Sequence, residues 1–262
     1  MVASAHMNYY LYEKHIGEKI MADLEFYQFP CLSDNYGVLV HNPNSGETAS
    51  IDAPDADAVE NALADKGWKL THILVTHHHW DHTQGIAALK SKYACHVIGP
   101  KAEGNKIETL DENKSDGDSF EFGGEQVEVI STPGHTLDMI NFYFPKSGVV
   151  FTGDTLFALG CGRIFEGDAN MMWESLSKLA KLPTDTIVYC GHEYTKANAD
   201  FSLTIEPDNQ ALVERAKEIE SLRSQNKPTV PTNIAIELET NVFLRAGNAA
   251  EFARIRTAKD NA

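Results

Sequence analysis

The stretch Thr76–His82, THHHWDH, places four imidazoles and one carboxylate within seven residues. Packing does not account for it. Imidazole is costly to bury without partners, and clustered imidazoles repel one another once protonated. Two readings stand at this point: a metal site, or a solvated loop rich in histidine. The flanking sequence bears on the choice. HILVT, residues 72–76, is a short apolar run that reads as a strand and leads directly into the cluster, and GIAALKSKY after it fits a helix. Chemically active side chains commonly sit on loops at strand ends, held by a rigid scaffold.

Other strand ends offer the same kind of group. Asp52 closes the strand TASI. His135 lies in STPGHT after VEVI, Asp154 in FTGDT after VV, and His192 in YCGHEY after TIVY. Glycine stands next to or near three of these groups and lets the backbone approach a site closely. Taken alone, His135 or His192 would more often be a hydrogen-bonded structural histidine. Asp154 alone could be a cap, and Asp52 alone a turn former. The pattern H-x-H-x-D-H, with the other groups at strand ends, argues for metal. Counting donors gives His77, His79, Asp81, His82, His135, Asp154 and His192, more than one tetrahedral zinc requires. Two ions sharing a ligand would use the set well. A carboxylate can bridge, which makes Asp154 the candidate bridge. His78 alternates out of the set as a neighbour, and His6, His15, His41, His72 and His96 have no partners in sequence.

The remaining pattern predicts a layered α/β or α+β domain. YGVLVHN, TASIDA, HVIGP, SFEF, QVEVIST, INFYF, VVFTG and TIVYCG read as strands. Residues 56–66 read as a helix capped by Asp55, and residues 171–180 as another. After Tyr194 the spacing becomes helical, so the reading is a metal-binding domain over residues 21–194 and a smaller helical domain over residues 195–262. Residues 1–20, beginning MVASAHM, read as the remains of a tag preceding a second start at Met21. They lack a signal-peptide core.

Composition narrows the partners. The chain has 262 residues and a formal charge of −16, which argues against nucleic acid and anionic membranes as partners. No stretch approaches the roughly 20 apolar residues of a membrane helix. The four cysteines, Cys31, Cys95, Cys161 and Cys190, form no C-x-x-C pair. Free thiols in a reducing cytoplasm are expected. The expectation is a cytoplasmic monomer acting on a small molecule.

The order Asp52, His77-x-His79-x-Asp81-His82, His135, Asp154, His192 resembles the metallo-β-lactamase superfamily. Within it, THHHWDHTQG, TPGHT, FTGDTLFALGCGRIFEG, CGHEYT and ETNVFLR resemble glyoxalase II, the hydroxyacylglutathione hydrolases. The resemblance runs from about Met21 to the C terminus. It implies an α+β fold, an αβ/βα sandwich with metals at the sheet edge and a helical C-terminal domain. It also implies a first metal on His77, His79 and His135, a second on Asp81, His82 and His192, and Asp154 bridging them. Zinc is the first choice of metal, with iron or manganese open. Substrate contacts would fall on Arg163, Phe165, Tyr194, Arg256 and Lys259. Phe165 stands where many relatives have tyrosine, Leu137–Met139 replace a more polar stretch, and Val242 replaces a usual proline.

The implied reaction is hydrolysis of a glutathione thioester, S-D-lactoylglutathione giving glutathione and D-lactate, by hydroxide generated between two metals. Asp81 and Asp154 would serve as ligands at the catalytic centre, not as acids, because a thiolate leaves readily. Three rivals accompany this reading: a glutathione-persulfide dioxygenase of the same fold with a single iron, a lactamase or tRNA-processing nuclease of the same superfamily, the nuclease opposed by the acidic charge, and a non-catalytic module whose metals serve folding.

Overall fold

The computed structural model describes residues 24–101, 106, 107 and 109–262. The segment 1–20 read as a tag remnant lies outside them. Two six-stranded sheets face each other. The first runs in order through β1 (Glu25–Cys31), β2 (Asn35–His41), β3 (Thr48–Ile51), β4 (His72–Leu74), β5 (His96–Pro100) and β6 (Glu112–Lys114). The chain then builds β7 (Ser119–Phe122), β8 (Glu125–Ser131), β9 (Ile140–Phe144) and β10 (Val149–Gly153). A small hairpin comes next, β11 (Leu156–Phe157) with β12 (Gly160–Cys161), and then β13 (Ile187–Cys190) and β14 (Thr232–Asn233). The second sheet has the order β14-β13-β10-β9-β8-β7.

Alternation along the strands explains the layers. Val38 and Val40 of β2 and Phe142 and Phe144 of β9 face the space between the sheets and form its core with Phe122 and Phe151. The intervening Leu39 points outward onto helices α1 (Ala56–Lys66) and α3 (Ile86–Tyr93), meeting Val59, Leu63 and Leu89. The intervening Tyr143 does the same on the second sheet, where Met172, Leu176 and Leu179 of α4 (Ala169–Leu179) cover it. With a period of two and both faces covered, these strands read as continuous apolar runs. The result is the expected αβ/βα sandwich.

Local signals set the helix ends. Asp55 accepts hydrogen bonds from Asp57 N (2.9 Å) and Ala58 N (3.3 Å), and Gly67 closes α1 at φ 69°. Helix α4 starts two residues before the expected Met171, because Asp168 caps it through Met171 N at 2.9 Å. The short α2 (Trp80–Thr83) lies within the histidine cluster. Beyond Tyr194 come α5 (Thr195–Ile205), α6 (Gln210–Ser224), α7 (Ile234–Thr240) and α8 (Ala249–Asp260). This helical region also supplies β14, which pairs with β13. All four cysteines are buried and unpaired. Among the described residues no helix is long and apolar enough to cross a membrane.

Two substitutions test the architecture. In urea denaturation Asp55→Ala should cost about 1 kcal/mol, the usual value of an N-cap. Phe142→Ala, which opens a cavity between the sheets, should cost about 3–5 kcal/mol.

Candidate metal centre

The predicted donors converge at one edge of the sandwich. His77, His79, Asp81 and His82 leave β4 of the first sheet, while His135, Asp154 and His192 leave β8, β10 and β13 of the second. Within each of three groups, one ligand atom per residue lies within 4.8 Å of the others: His77, His79 and His135; Asp81, His82 and His192; and His77, His82 and Asp154. All seven donors named from the sequence are therefore in one place. Asp154 touches both trios, with Oδ2 at 3.4 Å from His135 Nε2 and 3.3 Å from His192 Nε2, and Oδ1 at 3.4 Å from His82 Nε2.

Their surroundings fit metal ions. His77 Nε2 and Asp154 Oδ1 are buried and have no hydrogen-bond partner, an arrangement that is costly unless something else compensates it. Ring nitrogens face one another, His135 Nε2 and His79 Nδ1 at 2.9 Å and His82 Nε2 and His192 Nε2 at 3.3 Å. Donors held 2.0–2.1 Å from a tetrahedral ion stand about 3.3 Å apart, the same scale. Burial alone would push the Asp154 carboxyl up, but the His82 and His192 imidazoles reverse this and hold it well below the usual carboxylate range. Burial lowers His77 well below an ordinary imidazole, and it lowers His79 and His135 too. His82 and His192 shift the other way, because Asp154 outweighs their burial. The centre is thus an ionised carboxylate ringed by imidazoles, several of which resist protonation. Divalent cations answer both needs.

The far nitrogens of the rings are fixed. His82 Nδ1 donates to Asp52 Oδ2 at 2.7 Å, and Asp52 also accepts from Thr76 N (2.7 Å) and Thr76 Oγ1 (2.9 Å). With its proton on Asp52, Thr76 Oγ1 accepts from His77 Nδ1 at 3.0 Å. His135 Nδ1 donates to the Arg163 carbonyl at 2.8 Å, and His192 Nδ1 to Asp34 Oδ1 at 2.8 Å. Each such bond leaves the other nitrogen as a free lone pair aimed at the cluster. Asp52 adopts the left-handed region, φ 56°, to reach its place. Two glycines permit the close packing here. A Cβ on Gly191 would come within 2.5 Å of Asp154 Oδ1, and one on Gly162 would overlap the Asp154 carbonyl oxygen.

Asp34 and Asn35 were not foreseen as part of the site. Asn35 Nδ2 donates to Asp81 Oδ2 at 3.1 Å and bridges His192 through the backbone. Neither residue carries a local signal, since the bond between His192 and Asp34 spans 158 positions. His78, set aside as a neighbour, turns away to pair with Asp138 at 2.8 Å.

A cavity of about 480 Å³ opens above the donors, and Arg163, Phe165, Tyr194, Arg256 and Lys259 line it together with His79, Asp81, His135, Asp154 and His192. Phe165 meets the rings of His135 and His79 edge-on, with centroids at 5.2 and 5.7 Å. Tyr194 stacks on His192 at 4.7 Å and donates to Asp34 at 3.4 Å. The two C-terminal cations are already engaged. Arg256 is buried and donates to the Cys161 carbonyl (3.0 Å) and Asp260 (2.8 Å), leaving Nε unpaired. Lys259 donates to the Ala197 carbonyl at 2.8 Å, and its pKa is lowered by burial and then by Arg256. Arg163 is exposed.

Comparison with known proteins agrees with this geometry. Residues 45–192 match the metallo-beta-lactamase superfamily, and residues 193–262 match the hydroxyacylglutathione hydrolase C-terminus. Proteins named hydroxyacylglutathione hydrolase from Brucella anthropi and Brucella ovis are each 55% identical over 251 residues, covering 90% of this chain and 96% and 98% of theirs. Among solved structures, ETHE1 from Myxococcus xanthus superposes with a TM-score of 0.69 at 28% identity, covering 89% of this chain and 90% of its own. The BLEG-1 B3 metallo-beta-lactamase, at 23% identity and a TM-score of 0.63 over 84% of this chain and 99% of its own, shares the fold. With its donor cluster at the sheet edge and a helical region matched end to end, this chain belongs to the hydroxyacylglutathione hydrolase family of the metallo-β-lactamase superfamily.

Proposed function

We propose that this chain hydrolyses glutathione thioesters, converting S-D-lactoylglutathione to glutathione and D-lactate. One observation carries the reading: the metal-type donors and a wall of cations and aromatic rings share a single cavity. The 55% identical relatives named hydroxyacylglutathione hydrolase support the same substrate class. On this reading His77, His79 and His135 would hold one divalent ion and Asp81, His82 and His192 a second, with Asp154 available as a ligand to each. The nitrogen-rich donor set suits zinc, and iron or manganese fit the same atoms.

Divalent ions bound there supply hydroxide at neutral pH, by lowering the pKa of water from about 15.7 to about 7, and polarise a carbonyl. The protein's own groups do the rest. Asp34, Asp52 and the Arg163 carbonyl each accept a hydrogen bond from an imidazole N–H and so keep the other ring nitrogens of His192, His82 and His135 facing the cavity. Arg163, Arg256 and Lys259 face the carboxylates of glutathione, and Arg can pair with them through two parallel bonds. Phe165 and Tyr194 flank the donors and shield the reacting carbonyl from bulk water. The thiolate leaves without a strong acid, so Asp81 and Asp154 act as ligands and do not donate protons.

The buried, unpaired cysteines support a reducing compartment, the cytoplasm. The match of residues 193–262 to the hydroxyacylglutathione hydrolase C-terminus favours the hydrolase over an oxygen-consuming relative.

Purified, metal-loaded protein should bleach the thioester absorbance of S-D-lactoylglutathione, and Asp154→Ala should abolish this. No turnover with metal in place, together with oxygen uptake on glutathione persulfide, would reverse the assignment. Chelation should remove activity, and added zinc should restore it. Asp34→Asn should weaken metal retention about 10- to 100-fold in chelator competition, as loss of a partner behind a ligand does. Arg163→Ala and Arg256→Ala should raise KM about tenfold with kcat nearly unchanged, the mark of lost uniform binding. Equal losses in kcat and kcat/KM would contradict that role.

A further inference from the structure

The hairpin of β11 and β12 ends in residues 157–160, and its tip is fully enclosed by the C-terminal helices. A buried turn must place its backbone polar groups on partners, and here buried side chains from the helices provide them. Asn241 Nδ2 donates to the Phe157 carbonyl (3.3 Å) and the Gly160 carbonyl (3.0 Å). Asn198 Nδ2 donates to the Ala158 carbonyl at 3.1 Å, and Ser202 Oγ to the Leu159 carbonyl at 3.4 Å. Leu159 N donates to Glu237 Oε2 at 2.8 Å. Leu159 holds φ 57°, a left-handed conformation that a leucine keeps only when its surroundings impose it.

Glu237, on α7, is 0% exposed. Its Oε1 accepts from Arg215 NH2 (2.5 Å) and Thr232 Oγ1 (2.7 Å), and its Oε2 from Asn241 Nδ2 (2.9 Å) and Leu159 N. The carboxylate therefore joins α6, α7 and β14 to the hairpin tip. The chain leaving the hairpin forms one wall of the cavity. The Cys161 carbonyl accepts from Arg256, the Arg163 carbonyl fixes His135, and Phe165 N donates to the His135 carbonyl at 3.2 Å.

We propose that Glu237 is a positioning residue for substrate: by holding Leu159 in its left-handed turn it sets the path of residues 161–165 and hence the affinity for the glutathione half. It touches neither substrate nor metal, and a buried carboxylate bonded on both oxygens is stiff enough to transmit the placement. The proposal rests on Arg163 and Phe165 being glutathione contacts.

Glu237→Gln keeps the shape but exchanges one acceptor for a donor and removes the charge facing Arg215. The holoprotein variant is assayed on S-D-lactoylglutathione and on a thioester of N-acetylcysteamine, which lacks the peptide, and glutathione binding is measured by calorimetry. The expected result is a KM and a glutathione Kd about tenfold higher, with distinctly smaller changes in kcat, in metal content and on the peptide-free thioester, which feel the segment only through the Arg163 carbonyl behind His135. Unchanged KM and Kd in a variant whose Tm alone falls would overturn the proposal, as would equal losses on both thioesters. Arg215→Lys, which keeps the charge but not the fork, gives the same reading should Glu237→Gln fail to fold. A wild-type protein that binds no glutathione would fell the substrate reading and this proposal with it. Wild-type binding without an effect in either variant would fell this proposal alone.

Discussion

Asp154 is a buried carboxylate with imidazoles on several sides and one oxygen that no hydrogen bond satisfies. A lone ionised carboxylate in such a place would be expensive. It is tolerated because ligand groups from both sheets close around it, two trios on either side. The carboxylate belongs to the end of β10, whereas His77, His79, Asp81 and His82 belong to the exit of β4. The compensation of one charge thus spans the seam of the sandwich. The glycines at 162 and 191, the strained Asp52 and the proton-accepting partners behind the rings all serve to bring that charge and its neighbours within reach.

The donors were legible in the sequence because each stands where a strand stops. Strand ends are easy to read when the strand is an apolar run buried on both faces, as HILVT, VVFTG and TIVYCG are. Helix α1 was legible to its last residue because Asp55 and Gly67 are strong punctuation. Other parts left no such mark. Strands of two residues, as in the β11–β12 hairpin and β14, are shorter than any period can reveal. Asp34 looks like a turn residue, and its bond to His192 spans 158 positions. Arg256 and Lys259 are expected from the resemblance as substrate contacts, yet Arg256 is buried and both are engaged with the protein's own acceptors, which no local pattern announces. The lesson is one of range: ligands announce themselves locally, whereas the groups that orient them are chosen by tertiary contact.

The helical region does two physical jobs at once. Its side chains satisfy a loop that would otherwise be an unsolvated turn, and its cations enter the cavity that this loop borders. Cavity lining and loop geometry therefore share a residue, Arg256, which reaches the Cys161 carbonyl while lining the pocket. Of these cations only Arg256 is tied to a carboxylate at hydrogen-bond distance, that of Asp260, whereas Lys259 meets the neutral Ala197 carbonyl and keeps its charge.

Strand β14 is only two residues long, but it covers the open side of β13. Without it, the amides and carbonyls that Ile187 and Val188 present on that edge would stand unpaired beside apolar side chains, a template for addition of another chain. A protein cut between the sandwich and the helices would thus carry a sticky margin next to its own reaction centre. The tail acts as a selvedge: it keeps the weave from unravelling into its neighbours, and so binds the edge of the donor-bearing sheet to the presence of the helical region.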